Sequence, residues 1–485
     1  MRPVYTWIEL EGKLEKTLGK TLGEVDSKNV FAVTRTNPKV TGIAGDVIEQ
    51  SVIGYSANSD QEPDLVIDGV ETELKTTGLR RSKKGKGLEA KEPMSITAVS
   101  LDTIASEEFE TSNFWHKAKR MLIVYYLYDS DTTVVAAQYA YFPIKGYQLH
   151  EFDEDEIEAL KNDWTLVRDF VKKIQETYPD EESRKARYPK LSSALRKDLL
   201  LIDTAPKYPN PPRFRLKRST VTAMARKCFG ETMMQLPRSY TSYASIDAQL
   251  RKVAQEYAGE TLGSIARRMG ISYDAGKQNK SLAEQFVTKA FGASGKMGSI
   301  ELFAKIGLKA KTIAVTKAGA RTEDMKLFTI DFDEFKECEK FEDSLFFEYF
   351  NNNQLLCMVF EEPSVEAPLI ENVFRGFKRV AFDDAFIDSE VRRVWERIKH
   401  LIENDELVDV VSYDQNTKQP VVNKTGVVKS APNFPKSKDG VVFVRGTSGD
   451  STHKPECVNG VRMYKQQVWV KGSYIASRIA DEDWI

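Results

Sequence analysis

The stretch that decides the fold is Pro63-Asp64-Leu65-Val66-Ile67-Asp68-Gly69-Val70-Glu71-Thr72-Glu73-Leu74-Lys75. Its apolar run Leu65–Ile67 is typical of a short buried strand, and the pair Asp68-Gly69 suits a two-residue hairpin loop. A second half-buried run follows the pair. The stretch therefore predicts a strand, a tight turn and a second strand.

This hairpin also predicts a hydrolytic site. Side chains two residues apart on a strand project from the same face, so Glu73 and Lys75 point together while Leu74 faces the core. Asp64 opens the first strand beside them. Two carboxylates and an ammonium suit a hard divalent cation, which stabilises charge on oxygen and lowers the pKa of a bound water. We expect hydrolysis of a phosphodiester.

The pattern Glu-x-Lys does not identify a nuclease by itself. It also occurs at Glu11-Gly12-Lys13, Glu89-Ala90-Lys91 and Glu334-Phe335-Lys336. The assignment to Glu73 and Lys75 therefore depends on the hairpin and on the rest of the chain.

Length and composition predict several packed domains. The chain has 485 residues, of which 41% are hydrophobic and 10% aromatic. The net charge of -2 does not decide for or against nucleic acid, because basic residues can still be segregated into patches. The four cysteines and four histidines are scattered, which argues against a zinc site or a disulfide framework.

The termini and apolar runs predict a soluble cytoplasmic protein without a membrane segment. Charged residues occupy the N-terminal Trp7–Glu15, where a signal peptide needs an apolar core. The longest apolar run, Met121–Tyr128, is too short to span a bilayer.

Periodicity outlines the elements around the hairpin. It predicts helices at Glu9–Leu18, from Asp46 to Gly54 and around Trp164, and strands at Met121–Tyr128 and Ala136–Pro143. Glu49 lies on the second of these helices, where the pattern alone indicates a solvated carboxylate.

Two basic segments are candidates for contact with a phosphate backbone. A glycine-containing loop after the hairpin carries Lys83, Lys84 and Lys86. The segment Asp203–Arg218 combines four prolines with Lys207, Arg213, Arg215 and Lys217. We expect this second segment to form a rigid, positive, exposed loop rather than part of the core.

The chain repeats itself after about 230–240 residues. Gly19–Gly23 recurs as Gly259–Gly263, Phe109–Phe114 as Phe341–Phe346, and Trp164 as Trp395, in the same order. This order predicts a duplicated domain, with residues 1–232 as the first copy and 233–485 as the second.

The second copy is predicted to keep the scaffold and to lose the catalytic site. Lys311 matches Lys75, but Lys309 replaces Glu73 and Tyr349 replaces Lys117. A cation in place of a carboxylate repels a metal ion.

A family resemblance covers essentially the whole chain. It is carried by Ala44–Glu49, Pro63-Asp64, Gly69–Thr76, Phe109–Ser112 and Phe214–Lys217. On these residues the chain resembles the mismatch-repair endonuclease MutH and the Sau-type GATC-cutting type II restriction endonucleases of the PD-(D/E)xK superfamily. The implied fold is α/β, with two tandem restriction-endonuclease-like (MutH-like) domains, each a mixed central sheet flanked by helices.

The resemblance also implies roles for individual residues. Asp64 and Glu73 match metal-binding carboxylates, with the Leu74 carbonyl as a further ligand, and Lys75 matches a lysine that positions the attacking water. Glu49 matches an acidic helix residue that supports the site, and Lys117 a basic residue near the scissile phosphate. Lys207 lies where the family reads bases.

One choice stays open at this point. The spacing from Asp64 to Glu73 is longer than the family pattern, so either the hairpin is extended or Asp68 takes the metal role. We favour Asp64, because it follows Pro63 and because Asp68-Gly69 suits a turn.

The activity implied by the resemblance is Mg2+-dependent cleavage of double-stranded DNA at GATC by a type II (type IIE-like) restriction endonuclease. The C-terminal copy would bind a second DNA site as an allosteric effector, with candidate contacts from Arg445, Lys454, Lys465 and Lys471. Implied partners are two copies of double-stranded DNA, a second protein molecule if the monomer dimerises on DNA, and a cognate DNA methyltransferase.

Two alternatives remain. A MutH-like nicking endonuclease of mismatch repair would need only one such domain, so the duplication argues against it. A non-catalytic sequence-specific DNA-binding protein would not need an intact set of Asp64, Glu73 and Lys75.

Overall fold

The predicted hairpin is present. In the computed structural model, Leu65–Ile67 and Val70–Arg81 pair antiparallel, with Leu65 opposite Thr72 and Ile67 opposite Val70. The turn residues Asp68 and Gly69 have φ angles of 51° and 78°, which is the left-handed conformation that a type I′ hairpin turn requires at both positions.

The structure describes residues 2–55, 62–82, 87–130, 134–273, 282–320, 323–364, 367–423 and 425–485. The strands are β1 Val4–Tyr5, β2 Leu65–Ile67, β3 Val70–Arg81, β4 Leu88–Ala90, β5 Met94–Ala98, β6 Arg120–Leu127, β7 Ile144–Glu151, β8 Ile202–Asp203, β9 Arg213–Leu216, β10 Lys309–Val315, β11 Met325–Thr329, β12 Leu355–Glu361, β13 Val373–Val380, β14 Asp409–Val411, β15 Ser430–Pro432, β16 Val442–Gly446, β17 Glu456–Val458, β18 Val461–Met463 and β19 Gln466–Val470.

The α-helices are α1 Trp7–Glu15, α2 Leu22–Val25, α3 Ile43–Val47, α4 Asn113–Ala118, α5 Glu154–Thr177, α6 Glu181–Lys185, α7 Leu191–Leu195, α8 Arg218–Cys228, α9 Tyr243–Tyr257, α10 Leu262–Arg268, α11 Leu282–Ala290, α12 Glu301–Ile306, α13 Asp333–Glu337, α14 Leu345–Asn352, α15 Asp384–Phe386, α16 Arg392–Glu403 and α17 Gly472–Asp481. Within the described ranges, none of the helices has the length and apolar character needed to cross a bilayer.

In a mixed sheet, β3 lies between β2, its hairpin partner, and β6, the most buried strand of that sheet. Its order is β1-β2-β3-β6-β7, with β4 paired to the far end of β3. β3 runs parallel to β6, which sets Glu73 opposite Met121 and Lys75 opposite Ile123, and β7 runs antiparallel to β6. Helices flank this sheet, so the predicted α/β class with a mixed sheet is confirmed.

The chain divides into two compact units. The first contains Met1–Ser130, Val134–Val253 and Glu284–Lys309, and the second consists chiefly of Ala254–Ala283 and Ala310–Ile485. The boundary between residues 232 and 233 stays a prediction from the sequence.

The repeat recurs as matching local structure in both halves. Ser112 caps α4 by accepting a hydrogen bond from the Trp115 amide, and Ser344 caps α14 by accepting one from the Phe347 amide. Each serine hydroxyl also donates to a phenylalanine carbonyl three residues earlier, at 2.7 Å and 2.6 Å respectively. The two caps are therefore built the same way.

A β-bulge recurs as well. The pairing of β6 with β7 shifts register immediately after Tyr125, which lies opposite Gly146. The pairing of β12 with β13 shifts register immediately after Val359, which lies opposite Gly376. A bulge at the same place with a glycine partner indicates that β12 and β13 repeat β6 and β7.

Three expectations about the first copy were wrong in detail. The segment predicted as a strand at Ala136–Pro143 is a 3-10 helix at Ala136–Tyr141, and β7 follows it. The helix predicted from Asp46 begins at Ile43, continues as a π-helix over Ile48–Ile53 and ends at Gly54.

The proline-rich segment Asp203–Arg218 also differs from its prediction. Its C-terminal part is a core strand, because β9 pairs with β5 and β8 and buries Phe214 and Leu216. Alternation of basic and apolar residues over Arg213–Leu216 could have indicated this strand.

We predict that the two serine caps contribute equally to stability. Ser112→Ala and Ser344→Ala should each lower the free energy of unfolding by about 1–2 kcal/mol, since each removes a cap from a buried helix start. Urea unfolding measures the change, and Ser106→Ala, at an exposed serine, is the control with an effect within about 0.5 kcal/mol. A large loss for one cap and none for the other would contradict the structural repeat.

Candidate active site

The candidate active site is centred on the buried carboxylate of Glu73. This side chain is 3% exposed, yet it lies in contact with two ammonium groups. Lys75 Nζ donates to Glu73 Oε1 at 2.8 Å. Lys117 Nζ lies 3.2 Å and 3.1 Å from the two carboxylate oxygens. Lys75 comes from the same strand, whereas Lys117 comes from α4 and is itself buried.

Asp64 lies beside Glu73. Because Leu65 pairs with Thr72, Asp64 comes opposite Glu73 at the entrance of β2, and its Oδ2 accepts a hydrogen bond of 2.9 Å from the Leu74 amide. Burial and the charge of Glu73 raise the pKa of Asp64 above its usual range. The two carboxylates therefore converge as the sequence predicted.

Asp68 does not reach this site. It is exposed at the hairpin turn, where its Oδ1 accepts a hydrogen bond of 3.0 Å from the Trp7 amide. The structure thus brings Asp64, and not Asp68, to Glu73.

Glu49 joins the cluster from the π-helix. Burial, followed by the charges of Asp64 and Asp46, raises the pKa of Glu49 to about 7. Glu49 is therefore not the solvated carboxylate that periodicity alone indicated, and its place agrees with the supporting position implied by the resemblance.

Tyr55 was not identified from the sequence. Its hydroxyl oxygen is buried, and no hydrogen-bond partner for it lies among the described residues. Burial and the charges of Asp64, Glu49 and Glu73 raise the pKa of Tyr55 far above its usual value, so the phenol stays protonated. No residue spacing marks it, because its approach depends on the π-helical turn that precedes it.

The donor set fits a hard cation held by two carboxylates. Asp64 and Glu73 offer the oxygen ligands that Mg2+ prefers, and Mg2+ commonly keeps several of its waters beside one or two protein carboxylates. Glu73 would have to share its oxygens with the cation, since both ammonium groups contact them.

A second acidic group lies further along the same face of β3. Within the described ranges, Glu62, Glu71 and His116 are the three side chains of ligand type whose ligand atoms all lie within 4.8 Å of one another. Arg2 already pairs with Glu71 at 2.6 Å, and His116 Nε2 lies 2.5 Å from the other Glu71 oxygen. These bonds make the group an ion-pair network, with the pKa of Glu71 held below its usual range by His116 and Arg2.

The predicted DNA contacts have mixed positions. Lys83, Lys84 and Lys86 lie outside the described residues. Arg213 is exposed, with Nε 2.9 Å from Ser95 Oγ, and Arg215 Nε donates to Asp203 Oδ1 at 2.7 Å. Lys207 is half-buried in the loop between β8 and β9.

Lys217 does not have the position expected of a DNA contact. It is 4% exposed, and its ammonium donates to the Leu199 carbonyl at 2.5 Å. Its charge also faces Asp163, a buried carboxylate that accepts three backbone N–H bonds from Leu200–Ile202. Lys217 therefore stabilises the core.

The second half has different side chains at the corresponding places. β10 carries Lys309 and Lys311, and Lys311 donates to the Lys326 carbonyl at 2.7 Å. Tyr349 occupies the place of Lys117 on the equivalent helix, and its hydroxyl lies 3.5 Å from the Leu327 carbonyl.

Some of the basic residues proposed as DNA contacts in the second half form ion pairs within the protein. Arg445 pairs with Asp324 at 2.7 Å and lies over the rings of Phe443 and Trp469. Lys454 pairs with Asp409 at 2.9 Å. Lys465 is exposed and Lys471 is half-buried.

Comparison with known proteins agrees with this geometry. The mixed α/β fold fits a MutH-like domain. Residues 53–163 match the family model described as "DNA mismatch repair enzyme MutH", and this range contains Asp64, Glu73, Lys75 and Lys117. The chain is also 21% identical over 512 residues to the "Type II restriction enzyme Sau3AI" of Staphylococcus aureus, which covers 97% of this chain and 98% of that protein. These two matches support a MutH/Sau3AI-like family for this chain.

We predict a stability signature for Glu49 in the metal-free protein. Its pKa of about 7 in the folded chain exceeds the ordinary value of 4.5, so the folded state binds more protons between these two values. Stability should therefore be highest at the acidic end of this window and should fall as the pH rises through it.

Glu49→Gln should remove this part of the pH dependence. Urea midpoints at pH 5 and pH 7.5 measure the slope, with Glu158→Gln at an exposed helix position as the control. If Glu49→Gln and Glu158→Gln keep the same slope as the unmodified protein, the placement of Glu49 in the cluster is wrong.

Proposed function

We propose that this protein is a type II restriction endonuclease that hydrolyses phosphodiester bonds of double-stranded DNA at GATC in a Mg2+-dependent reaction. The near full-length similarity to a type II restriction enzyme and the MutH match over the site support the activity. The GATC sequence and the metal come from the family resemblance.

One arrangement supports hydrolysis most directly. Glu73 is buried between Lys75 and Lys117, and Asp64 lies beside it. A carboxylate used only for solubility would not be buried, and one used only as an ion-pair partner would not need a second, partly desolvated carboxylate beside it. Perturbed carboxylates of this kind cluster at functional sites.

Asp64 and Glu73 would hold the cation, with the Leu74 carbonyl as a further ligand. When bound, the cation stabilises negative charge on the phosphate and lowers the pKa of a water. The remaining work falls to the ammonium groups. Lys75, held by Glu73, would supply a positive charge to the attacking water and the phosphate, and Lys117, which also contacts Glu73, would supply a second one.

The second half would bind a second DNA copy as an effector. It repeats the cap and the bulge of the first half but has Lys309 and Tyr349 in place of Glu73 and Lys117. Such a scaffold suits binding without cleavage, because a lysine in place of the carboxylate repels a metal ion.

We predict that plasmid DNA incubated with the protein and Mg2+ is cut into discrete fragments whose sequenced ends fall at GATC. Lys75→Ala and Glu73→Ala should each lower the cleavage rate by at least about 100-fold, because each removes a charge that acts on the transition state. Binding to the same duplex in a gel-shift assay should persist.

The chain offers a matched control. Glu11→Ala and Lys13→Ala alter the same Glu-x-Lys pattern on helix α1 and should leave cleavage unchanged. Full activity of Lys75→Ala would contradict the site. Single nicks would favour the mismatch-repair alternative, and sequence-specific binding without cutting in any divalent metal would favour the non-catalytic one.

We also predict stimulation in trans. A plasmid with one site should be cut slowly, and an added duplex oligonucleotide that contains GATC should speed its cleavage, since the second half would then be filled. An oligonucleotide of scrambled sequence is the control. Equal rates with both oligonucleotides would contradict the effector role while leaving the cleavage site intact.

A further inference from the structure

An unusual turn fixes the position of Tyr55, which the charges of Asp64, Glu49 and Glu73 reach. The π-helix Ile48–Ile53 ends at Gly54, whose φ is 94°, and the Gly54 and Tyr55 amides both donate to the Glu49 carbonyl, at 2.8 Å and 3.1 Å. A π-turn contains one residue more than an α-turn, and such turns are frequent at functional sites. This turn sets Tyr55 directly after the helix that carries Glu49.

The Tyr55 hydroxyl has no hydrogen-bonding role within the part of the chain that the structure describes. Its oxygen is buried and has no hydrogen-bond partner among the described residues, while three carboxylates, Asp64, Glu49 and Glu73, act on it electrostatically. Burial of a polar group without a partner costs free energy, so a site of this kind calls for an explanation. A bound ligand with an oxygen beside the hydroxyl would supply an acceptor.

We propose that Tyr55 is a positioning residue of the metal site, whose hydroxyl donates a hydrogen bond to a water of the divalent cation held by Asp64 and Glu73. This inference rests on the proposed function. A hydrated cation brings the acceptor that the hydroxyl lacks, because Mg2+ keeps several waters and each ordered water needs two to four polar partners.

The chemistry of the group favours this direction of the hydrogen bond. A phenol hydroxyl donates one hydrogen bond, and a water oxygen can accept it. Partners that orient a metal-bound group from outside the coordination sphere commonly change metal affinity by 10-fold or more. Tyr55 would therefore act on affinity without touching the cation.

A matched control lies at the same helix end. Tyr5 donates its hydroxyl to the Ile53 carbonyl at 2.5 Å, and so it is satisfied within the protein. Tyr5→Phe removes a hydrogen bond of the fold, whereas Tyr55→Phe removes a hydroxyl that has no hydrogen-bond partner among the described residues. Tyr5→Phe should lower the melting temperature and leave metal affinity unchanged, whereas Tyr55→Phe should lower metal affinity without lowering the melting temperature.

The test is a titration of the protein with MnCl2, in which the electron paramagnetic resonance signal of free Mn2+ measures how much metal remains unbound. Competition with MgCl2 then gives the affinity for Mg2+. Tyr55→Phe should bind about 10-fold more weakly than the unmodified protein, with a metal-free melting temperature equal to or above it. Tyr5→Phe should bind as the unmodified protein does and melt at a lower temperature.

The outcomes separate this inference from the proposed function. If the unmodified protein binds and Tyr55→Phe binds equally well, the role of Tyr55 is refuted while the metal site stands. If Tyr55→Phe melts at a lower temperature as Tyr5→Phe does, the hydroxyl serves the fold and the inference fails. If the unmodified protein binds no cation and cuts no DNA, the proposed function fails first.

Discussion

The contact of Glu73 with two lysines constrains the rest of the first unit. A carboxylate that is 3% exposed must be compensated, because removing a charge from water costs several kcal/mol or more. Lys75 supplies one charge from the same strand, and Lys117 supplies the other from α4. The site therefore forms only if α4 packs against β3, and the Ser112 cap fixes where that helix begins.

The local part of this site could be predicted from the sequence. Alternation along a strand places Glu73 and Lys75 on one face, and Asp68-Gly69 could be predicted as a turn from its composition. Those rules concern residues that are close in sequence, so they hold whatever fold the rest of the chain adopts. The choice of Asp64 over Asp68 followed from the same turn, since a residue at the tip of a hairpin cannot also face its entrance.

The non-local part could not be predicted in this way. The burial of Lys217 depends on the Leu199 carbonyl and on Asp163, which are distant in sequence, and its basic neighbours gave the opposite indication. The place of Tyr55 depends on a π-turn, whereas the sequence pattern predicted an ordinary α-helix there. The partial burial of Glu49 near Asp64 and Asp46 also depends on non-local packing, because spacing alone left Glu49 in solvent.

The matching local structures of the two halves distinguish residues that both halves keep from residues that only the first half has. Both halves keep the serine cap, the phenylalanine carbonyl that its hydroxyl binds, and the glycine opposite the bulge. They differ at Glu73 and Lys117, where the second half has Lys309 and Tyr349. Retention of the first set and replacement of the second is the pattern expected if the two halves share a fold and divide cleavage and binding between them.

The position of the cation is the most direct test of this account. Crystals of the full-length protein soaked in MnCl2 would locate it by anomalous diffraction. We expect a peak between the carboxylates of Asp64 and Glu73, with at least one ammonium group moved off Glu73. A peak at Glu62, Glu71 and His116, with Lys75 and Lys117 still bound to Glu73, would contradict it.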